Sequence, residues 1–495
     1  MRFSALLSAA GLEAPSGSAD PQIGRVCIDS RQVRSGDCFV AMVGSSVDGH
    51  DYIGQAVSAG AAAVVAEKDV GGLDKTPLAI VPNGRIAAGL LAQAIRGNPA
   101  GKLTCIGVTG TNGKTTVAHM ARAILTAAGK RVGLIGTIAY DTGLRRGASG
   151  ATTPDPVELA RMTDEMVRAG RDHLVMEVSS HALDQDRTAG LAFAAAAFTN
   201  RTGDHLDYHG SMENYRRAKS KLFAQLPPPA RAVINLDDAA GGHMADVARC
   251  RVVGYSLQQP SEAEITADIR QATASGSRFF LQVHGRSVEV DMPLIGVHNV
   301  RNALAAAGLC DAVGVELSTI ARALREMPFV PGRLQRVGPG RPVSVFVDYA
   351  HTDDALANVC SALRPLTPGR LVVVFGCGGD RDRSKRPRMA KVAQDLADVV
   401  VVTTDNPRSE RPGEIIQEIL EGFDHQQLDR VYVEADRGLA IDWAIGEALD
   451  GDVVLIAGKG HETYQIIGSE RLDFDDAAVA AEALQRRSQA DGPKQ

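Results

Sequence analysis

A chain of 495 residues is too long for one hydrophobic core, because cores stop growing near about 250–300 residues, so two to four domains are expected. Its composition, 44% hydrophobic, 23% charged and 4% aromatic, is that of a globular protein. A formal net charge of −6 supplies no broad cationic field, which argues against bulk binding to nucleic acid or to a membrane surface.

The predicted elements begin with Met1 to Pro15. Its apolar stretch is short, its basic region is one Arg, and Glu13 interrupts it, so it reads as an amphipathic helix rather than a secretion signal. Gly97-Asn98-Pro99-Ala100-Gly101 then stops a helix just before the apolar run Leu103 to Val108. From there CIGVTG, TTVAHMARAILTAAG and RVGLIGTI alternate strand-like and helix-like runs, which predicts βαβ units and parallel sheets. Pro331-Gly332-Arg333 is a second break. After it come SVFVDYAH, LVVVFGCGGD, VVVVTTDN and DVVLIAGKGHE, apolar runs that each end in a polar cluster. Such clusters belong at the carboxyl ends of strands, where open α/β sheets bind ligands. No stretch of about 18 apolar residues occurs, so membrane insertion is not expected. The seven cysteines, Cys27, Cys38, Cys105, Cys250, Cys310, Cys360 and Cys377, form no CxxC pair, and an odd count fits a reducing cytoplasm better than a disulfide framework.

The sharpest local signal is TGTNGKTT, Thr109 to Thr116, between a strand-like and a helix-like run. Glycines there let backbone amides approach phosphate oxygens, the helix N-terminus adds partial positive charge, Lys114 reaches the outer phosphates and Thr115 can ligate magnesium. The general phosphate-loop pattern is not fully met, because Val108 stands where it asks for Gly. ATP is the expected nucleotide, although the loop alone admits GTP. Other polar residues carry less by themselves. Taken singly, Glu177 in MEVSSH and His205 in DHLDYHG read as salt-bridge or packing residues. Asp29-Ser30-Arg31 reads as a polar turn, Asn299 as a helix cap, and Lys219 in RRAKSKLF as an exposed helix lysine.

GTNGKTT, together with DSR, TTPD, MEVSSHAL, TNRTGDHLDYHG, HNVRNALAA, DYAHTDDAL, DNPR and GKGHE, resembles the Mur ligase family over nearly the whole chain, and within it the diaminopimelate-adding branch. The resemblance implies an α/β protein of three domains. Residues 1–97 would form a smaller N-terminal α/β domain for the UDP-linked precursor. Residues 98–332 would be a central P-loop-type domain, mainly parallel with helices on both faces, for ATP. Residues 333–495 would be a C-terminal Rossmann-like doubly wound sheet for the amino acid.

It also implies roles residue by residue. ATP would lie on Gly110, Thr111, Asn112, Gly113, Lys114, Thr115 and Thr116, with His298, Asn299 and Asn302 at the adenine and Arg333 and Asp348 at phosphate and ribose. Thr115, Glu177 and His205 would hold magnesium. Lys219 would be carbamylated and serve a second magnesium, since a neutral amine can capture carbon dioxide and become an anionic oxygen donor. Lys114, Glu177, His205 and Lys219 form the expected catalytic set. Ser30, in the uridine region with GSSVDGHDY, and Thr152, Thr153, Ser179, Gln185 and Arg187 would bind the UDP-muramoyl-dipeptide. Asp405, Asn406, Pro407, Arg408, Gly458 and Glu462, with Arg381 adding a second carboxylate contact, would bind meso-diaminopimelate. Arg408 would take the distal carboxylate and Glu462 the distal ammonium.

The implied reaction is ATP-dependent amide formation through an acyl phosphate, by a cytoplasmic, monomeric enzyme acting on small molecules in peptidoglycan precursor synthesis. No covalent enzyme intermediate is needed, and GxSxG is absent. The alternatives are a lysine-adding or folylpolyglutamate-type ligase with the same nucleotide half and, from a different class, a P-loop protein that binds partners without making a bond. Two departures from the family pattern are visible: Asp353, where relatives usually have Pro, and Gln335, where an acidic residue is usual.

Overall fold

The computed structural model describes residues 1–490, except 16–18, 45–46, 72, 74, 274 and 339–341. Met1 to Pro15 carries a short helix, Phe3–Ala9, whose Phe3, Leu6 and Leu7 are buried, as the amphipathic reading expected. Strands fall into three main sheets and one hairpin. The first sheet has four parallel strands between Arg25 and Ile80.

The second sheet has eleven strands, and its centre contains β1 (Thr104–Thr109), β2 (Val132–Ile135), β3 (His173–Glu177) and β4 (Phe193–Phe198). All are parallel, in spatial order β4, β1, β3, β2. β3 is buried along its whole length and β1 at all but its first residue. A continuous apolar run, rather than an alternating one, is what a strand covered on both faces requires. One apolar cluster packs α1 (Lys114–Ala127) and α3 (Val297–Ala312) on one face. A second holds α2 (Met212–Ala224) on the other through Leu222 and Phe223.

The sheet is not parallel throughout, and two antiparallel arms extend it. Gly276–Val283 and Arg286–Met292 pair antiparallel at one edge, and Ala139–Asp141 and Arg146–Ala148 at the other. Gly276–Val283 alternates buried and exposed residues, as a one-sided strand should.

The third sheet holds β5 (Ser344–Asp348), β6 (Leu371–Phe375), β7 (Val399–Val402) and β8 (Val453–Ala457) in the order β5, β8, β6, β7, all parallel. Helices α4 (Asp353–Leu363) and α5 (Arg437–Gly446) cover its two faces through separate apolar clusters. The polar clusters recognised in the sequence therefore leave the carboxyl ends of β5, β6, β7 and β8.

The Pro331-Gly332-Arg333 break joins the second and third sheets. Gly332 has φ +64°, and a Cβ there would lie 2.1 Å from the His461 amide nitrogen. Its own amide donates to Gln335 Oε1 at 2.8 Å, so the departure at Gln335 keeps an acceptor at that position. Asp353, the other departure, opens α4 and pairs with Arg388 at 3.0 Å on the surface. Gly332→Ala is expected to destabilise by about 2–3 kcal/mol or more, because left-handed backbone and a backbone clash add. A melting curve checks this; an unchanged midpoint would contradict the geometry.

Candidate active site

The phosphate-type loop leaves β1 and starts α1. Gly110 has φ +151° and Gly113 φ +85°. A Cβ on Gly110 would sit 1.8 Å from Thr199 Oγ1, and one on Gly113 would sit 2.4 Å from Asn302 Oδ1. Only glycine fits either position. Val108, the mismatch to the general pattern, is a fully buried residue of β1 inside the apolar cluster, upstream of the curve that needs glycine.

The loop is held from outside by residues that sequence reasoning left without a role. The Thr111 amide donates to the Asn200 carbonyl at 2.8 Å, and the Asn112 amide to Asn200 Oδ1 at 2.9 Å. Thr199 Oγ1 donates to the Asn112 carbonyl at 2.6 Å. Thr199 and Asn200 directly follow β4, and a polar pair after the run AFAAAAF was the available signal.

Two lysines meet beneath the loop. Lys114 Nζ donates to the carbonyls of Gly110 and Thr111 at 2.9 and 2.8 Å. Lys219 Nζ donates to the same Gly110 carbonyl at 2.8 Å and lies 4.2 Å from the Tyr215 ring centre. Lys219 is therefore not the exposed helix lysine that RRAKSKLF suggested by pattern; it is 1% exposed. Burial first, and then the neighbouring Lys114 charge, push its ammonium well below the usual lysine range. Burial lowers Lys114 too, against Glu177 and Asp204.

Glu177, at the end of β3, is 1% exposed. Its Oε2 accepts from Thr115 Oγ1 at 2.9 Å and Thr137 Oγ1 at 3.0 Å, and its Oε1 from the Thr137 amide at 2.7 Å. Thr137 was missed because a threonine in RVGLIGTI gives no local sign of chemistry. His205 lies on the rim of the same cavity, in left-handed conformation (φ +54°) beside Asp204. Burial pulls its imidazole down to about 4 against the opposing Asp204 carboxylate, which leaves a neutral ring.

Among the described residues no three His, Cys, Asp or Glu side chains converge as a metal set. What converges instead is hydroxyl and carboxylate oxygen, Thr115 and Glu177, with the His205 imidazole nearby. That donor chemistry fits a hard divalent ion that keeps waters and shares substrate phosphates.

A cavity of about 260 Å3 brings together loop residues 111–116, Glu177, His205, His298, Asn299, Asn302, Arg333 and Asp348. Asn299 does not cap α3: Gly296 is the N-cap without side-chain help, and Asn299 Nδ2 donates to the Ile295 carbonyl at 2.8 Å. Asn302 Nδ2 donates to Asn299 Oδ1 at 3.1 Å. Burial lowers His298 to about 4, so it too is neutral. Arg333 crosses from beyond the Gly332 break to donate to Thr115 Oγ1 at 3.0 Å while stacking over Tyr349, 4.6 Å from the ring centre. Asp348, ending β5, accepts from the amides of Leu334 and Ala350 at 2.6 and 2.7 Å. It thereby shapes the turn that presents Arg333.

The precursor candidates divide between neighbouring cavities. Ser30, whose Oγ donates to Gln55 Oε1 at 3.0 Å, lines one of about 770 Å3. Asp29 and Arg31 pair with each other at 2.8 Å, and the arginine holds the Asp29 carboxyl at about 2, so for these two the polar-turn reading describes the structure. Ser45 and Ser46 of GSSVDGHDY lie outside the described residues. Gln185 and Arg187 line a cavity of about 750 Å3 with Arg85 and Arg145. Arg187 donates to the Thr153 carbonyl at 2.9 Å, and Thr153 Oγ1 donates to the Glu177 carbonyl at 2.9 Å and accepts from the Ser179 amide at 3.0 Å. Thr152 lines the cavity beside Glu177 and meets Thr137 at 3.0 Å. A continuous hydrogen-bonded path thus links Arg187 to the strand end that carries Glu177.

The amino-acid candidates gather after β7 and β8. Asn406 Nδ2 donates to Glu462 Oε2 at 2.8 Å. Arg408, at φ +52°, donates through Nη1 to the Gly379 carbonyl at 2.7 Å. A Cβ on Gly379 would lie 1.9 Å from the Pro407 carbonyl oxygen, and one on Gly458 would lie 2.6 Å from Asp405 Oδ2. The Gly458 amide also donates to the Asp348 carbonyl at 3.1 Å, which ties this cluster to the strand end that carries Asp348. Arg381 is exposed and donates to the Asp380 carbonyl at 2.8 Å, as expected of a solvated loop. The basic run GGDRDRSKRPRM that contains it also holds Arg386, fully buried between Glu410 and Glu418.

Comparison with known proteins decides the family. The Mur ligase family catalytic domain matches residues 22–87, the Mur ligase middle domain 108–310 and the Mur ligase glutamate ligase domain 332–460. The chain belongs to the Mur ligase family. It is 45% identical to the UDP-N-acetylmuramoyl-L-alanyl-D-glutamate–2,6-diaminopimelate ligase of Bacillus licheniformis over 95% of this chain and 96% of that protein. The same identity holds to the like-named ligase of Geobacillus thermodenitrificans, over 94% and 96%. A solved structure of a ligase of that name matches with TM-score 0.68 and 33% identity, covering 94% of this chain and 95% of the other. Mur ligases are ATP-dependent enzymes that form amide bonds, and the α/β architecture expected from the sequence is theirs.

Proposed function

We propose that this Mur ligase joins meso-diaminopimelate to the D-glutamate carboxylate of UDP-N-acetylmuramoyl-L-alanyl-D-glutamate, using ATP. The observation that carries the reading is full-length similarity to ligases of that name, combined with an Arg408–Asn406–Glu462 cluster that matches an amino acid with a second carboxylate and ammonium. Residues 1–97, 98–332 and 333–495 act as the precursor, ATP and amino-acid domains of a cytoplasmic monomer.

ATP phosphorylates the substrate carboxylate. The incoming amine attacks the acyl phosphate and expels inorganic phosphate. The loop amides at 110–116 and Lys114 neutralise charge on the transferred group, while Arg187, Thr152, Thr153 and Ser179 orient the precursor, so catalysis is positioning plus electrostatics. Thr115, Glu177 and His205 would hold magnesium, which supplies charge neutralisation at the phosphates. The neutral imidazole of His205 suits a ligand role. Arg333 and Asp348 reach the nucleotide from beyond the Gly332 hinge, which fits closure on ATP.

Carbamylation of Lys219 is supported by its burial and depressed ammonium, because only the free amine captures carbon dioxide. Intact-protein mass after exchange into isotope-labelled bicarbonate should show one labelled carbon, absent from Lys219→Ala; the same label in that variant would end the assignment. For the reaction, phosphate release should require ATP, the UDP-precursor and diaminopimelate together. Release without the amine would favour a nucleotidase or a partner-binding P-loop protein.

A further inference from the structure

Below the amino-acid cluster lies a cation to which the proposed function gives no task. Lys459 is 0% exposed. Its Nζ donates to Asn406 Oδ1 at 3.1 Å and lies 3.6 Å from Glu462 Oε2. Asn406 turns its other face to Glu462, donating at 2.8 Å. Its Oδ1 also accepts from the Ile466 amide at 3.0 Å, so the amide cannot flip without losing two donors and facing Glu462 with an acceptor. Lys459 therefore fixes which end of Asn406 meets the carboxylate.

We infer that Lys459 is a positioning residue for the acceptor amino acid, holding Asn406 and Glu462 in the arrangement that receives the distal ammonium. The inference rests on the proposed diaminopimelate specificity. The charge balance explains why a buried cation is needed. Asp405 and Glu462 are carboxylates that repel one another, and Glu462 is pushed up by burial, then by Asp405, with Lys459 opposing. Burial lowers Lys459 against Asp405, Glu462 and Asp476, and Arg408, Arg437, Tyr349 and Tyr464 also act electrically on this cluster. Arg437 is already committed: fully buried, it pairs with Asp476 at 2.7 Å and donates to the Ala457 carbonyl at 2.9 Å. Lys459 is thus the cation bonded within the Asn406–Glu462 pair itself. Without it, Glu462 would be pushed up further and hold its proton more firmly, losing its attraction for an ammonium.

The test compares Lys459→Met, Glu462→Gln and the double variant by steady-state kinetics with each substrate varied. Lys459→Met should raise KM for diaminopimelate about 30-fold or more, the size expected when one partner of a buried charge pair is truncated. KM for ATP should stay put, which also shows that the variant folds. The rise should shrink as pH is raised, because Glu462 re-ionises. Added to Glu462→Gln, Lys459→Met should change KM for diaminopimelate little, since the group it acts through is gone. Equal rises in both KM values, or full additivity in the double variant, would overturn the inference. If the wild-type enzyme makes no product from diaminopimelate, the proposed specificity falls and this inference with it; if it does, these outcomes judge Lys459 alone.

Discussion

Lys114→Ala is expected to lower kcat by about 10²–10³-fold, the loss typical when one preorganised charge-stabilising donor is removed from a water-poor site. Nothing in the surrounding loop substitutes for it. The other buried lysine at the loop, Lys219, sits behind the Gly110 carbonyl on α2, and Arg333 is engaged with Thr115. KM for ATP should move less than kcat, because the loop amides and the start of α1 remain and the lost interaction strengthens as charge develops. Folding should survive, since the substitution removes a desolvated ammonium from under the loop and leaves Gly110, Gly113 and their neighbours in place. Single-turnover phosphate transfer checks this; a rate within a factor of a few of wild type would refute the role.

Arg408→Lys should lower kcat/KM for diaminopimelate by about 10²–10³-fold, as a forked guanidinium facing a carboxylate is not replaced by a point charge. Lysine is the informative substitution because Arg408 has a positive φ, a strain that both residues carry alike. kcat/KM for ATP, measured at saturating diaminopimelate, should be close to wild type. Equal losses for both substrates would mean that Arg408 supports the domain rather than reading the acceptor.

The sequence made the phosphate loop legible because strand, glycine turn, Lys-Thr-Thr and helix are adjacent, so local chemistry alone described the β1–α1 junction. The polar clusters ending β5 to β8 were legible for a similar reason: apolar runs of four to five residues can only be buried strands here, and the polar residues after them must surface at one sheet edge. Other features depend on distant partners. Thr137 and Glu177 are 40 residues apart, and nothing near either one predicts their hydrogen bonds. Lys219 reads as exposed because RRAKSKLF is basic, yet the Gly110 carbonyl 109 residues away receives its ammonium. Arg386 and Arg437 hide for the same reason, since a buried cation is recognisable only once its acids are placed around it. Asn299 looked like a cap because asparagine near a helix start usually is one, whereas here the glycine before it makes the turn and the amide turns inward. The antiparallel arms of the eleven-stranded sheet went unread, although the alternation in Gly276–Val283 was present in the chain.

The central claim is that this Mur ligase uses ATP to attach diaminopimelate, and not lysine, to the UDP-muramoyl-dipeptide. Mass spectrometry of the product formed by the purified protein with ATP, magnesium, the precursor and equal amounts of both amino acids tests it in one experiment. The expected product is a single UDP-muramoyl-tripeptide heavier than the precursor by diaminopimelate less water, with lysine product lower by about 10⁴-fold. A lysine-containing tripeptide as the main product would contradict it.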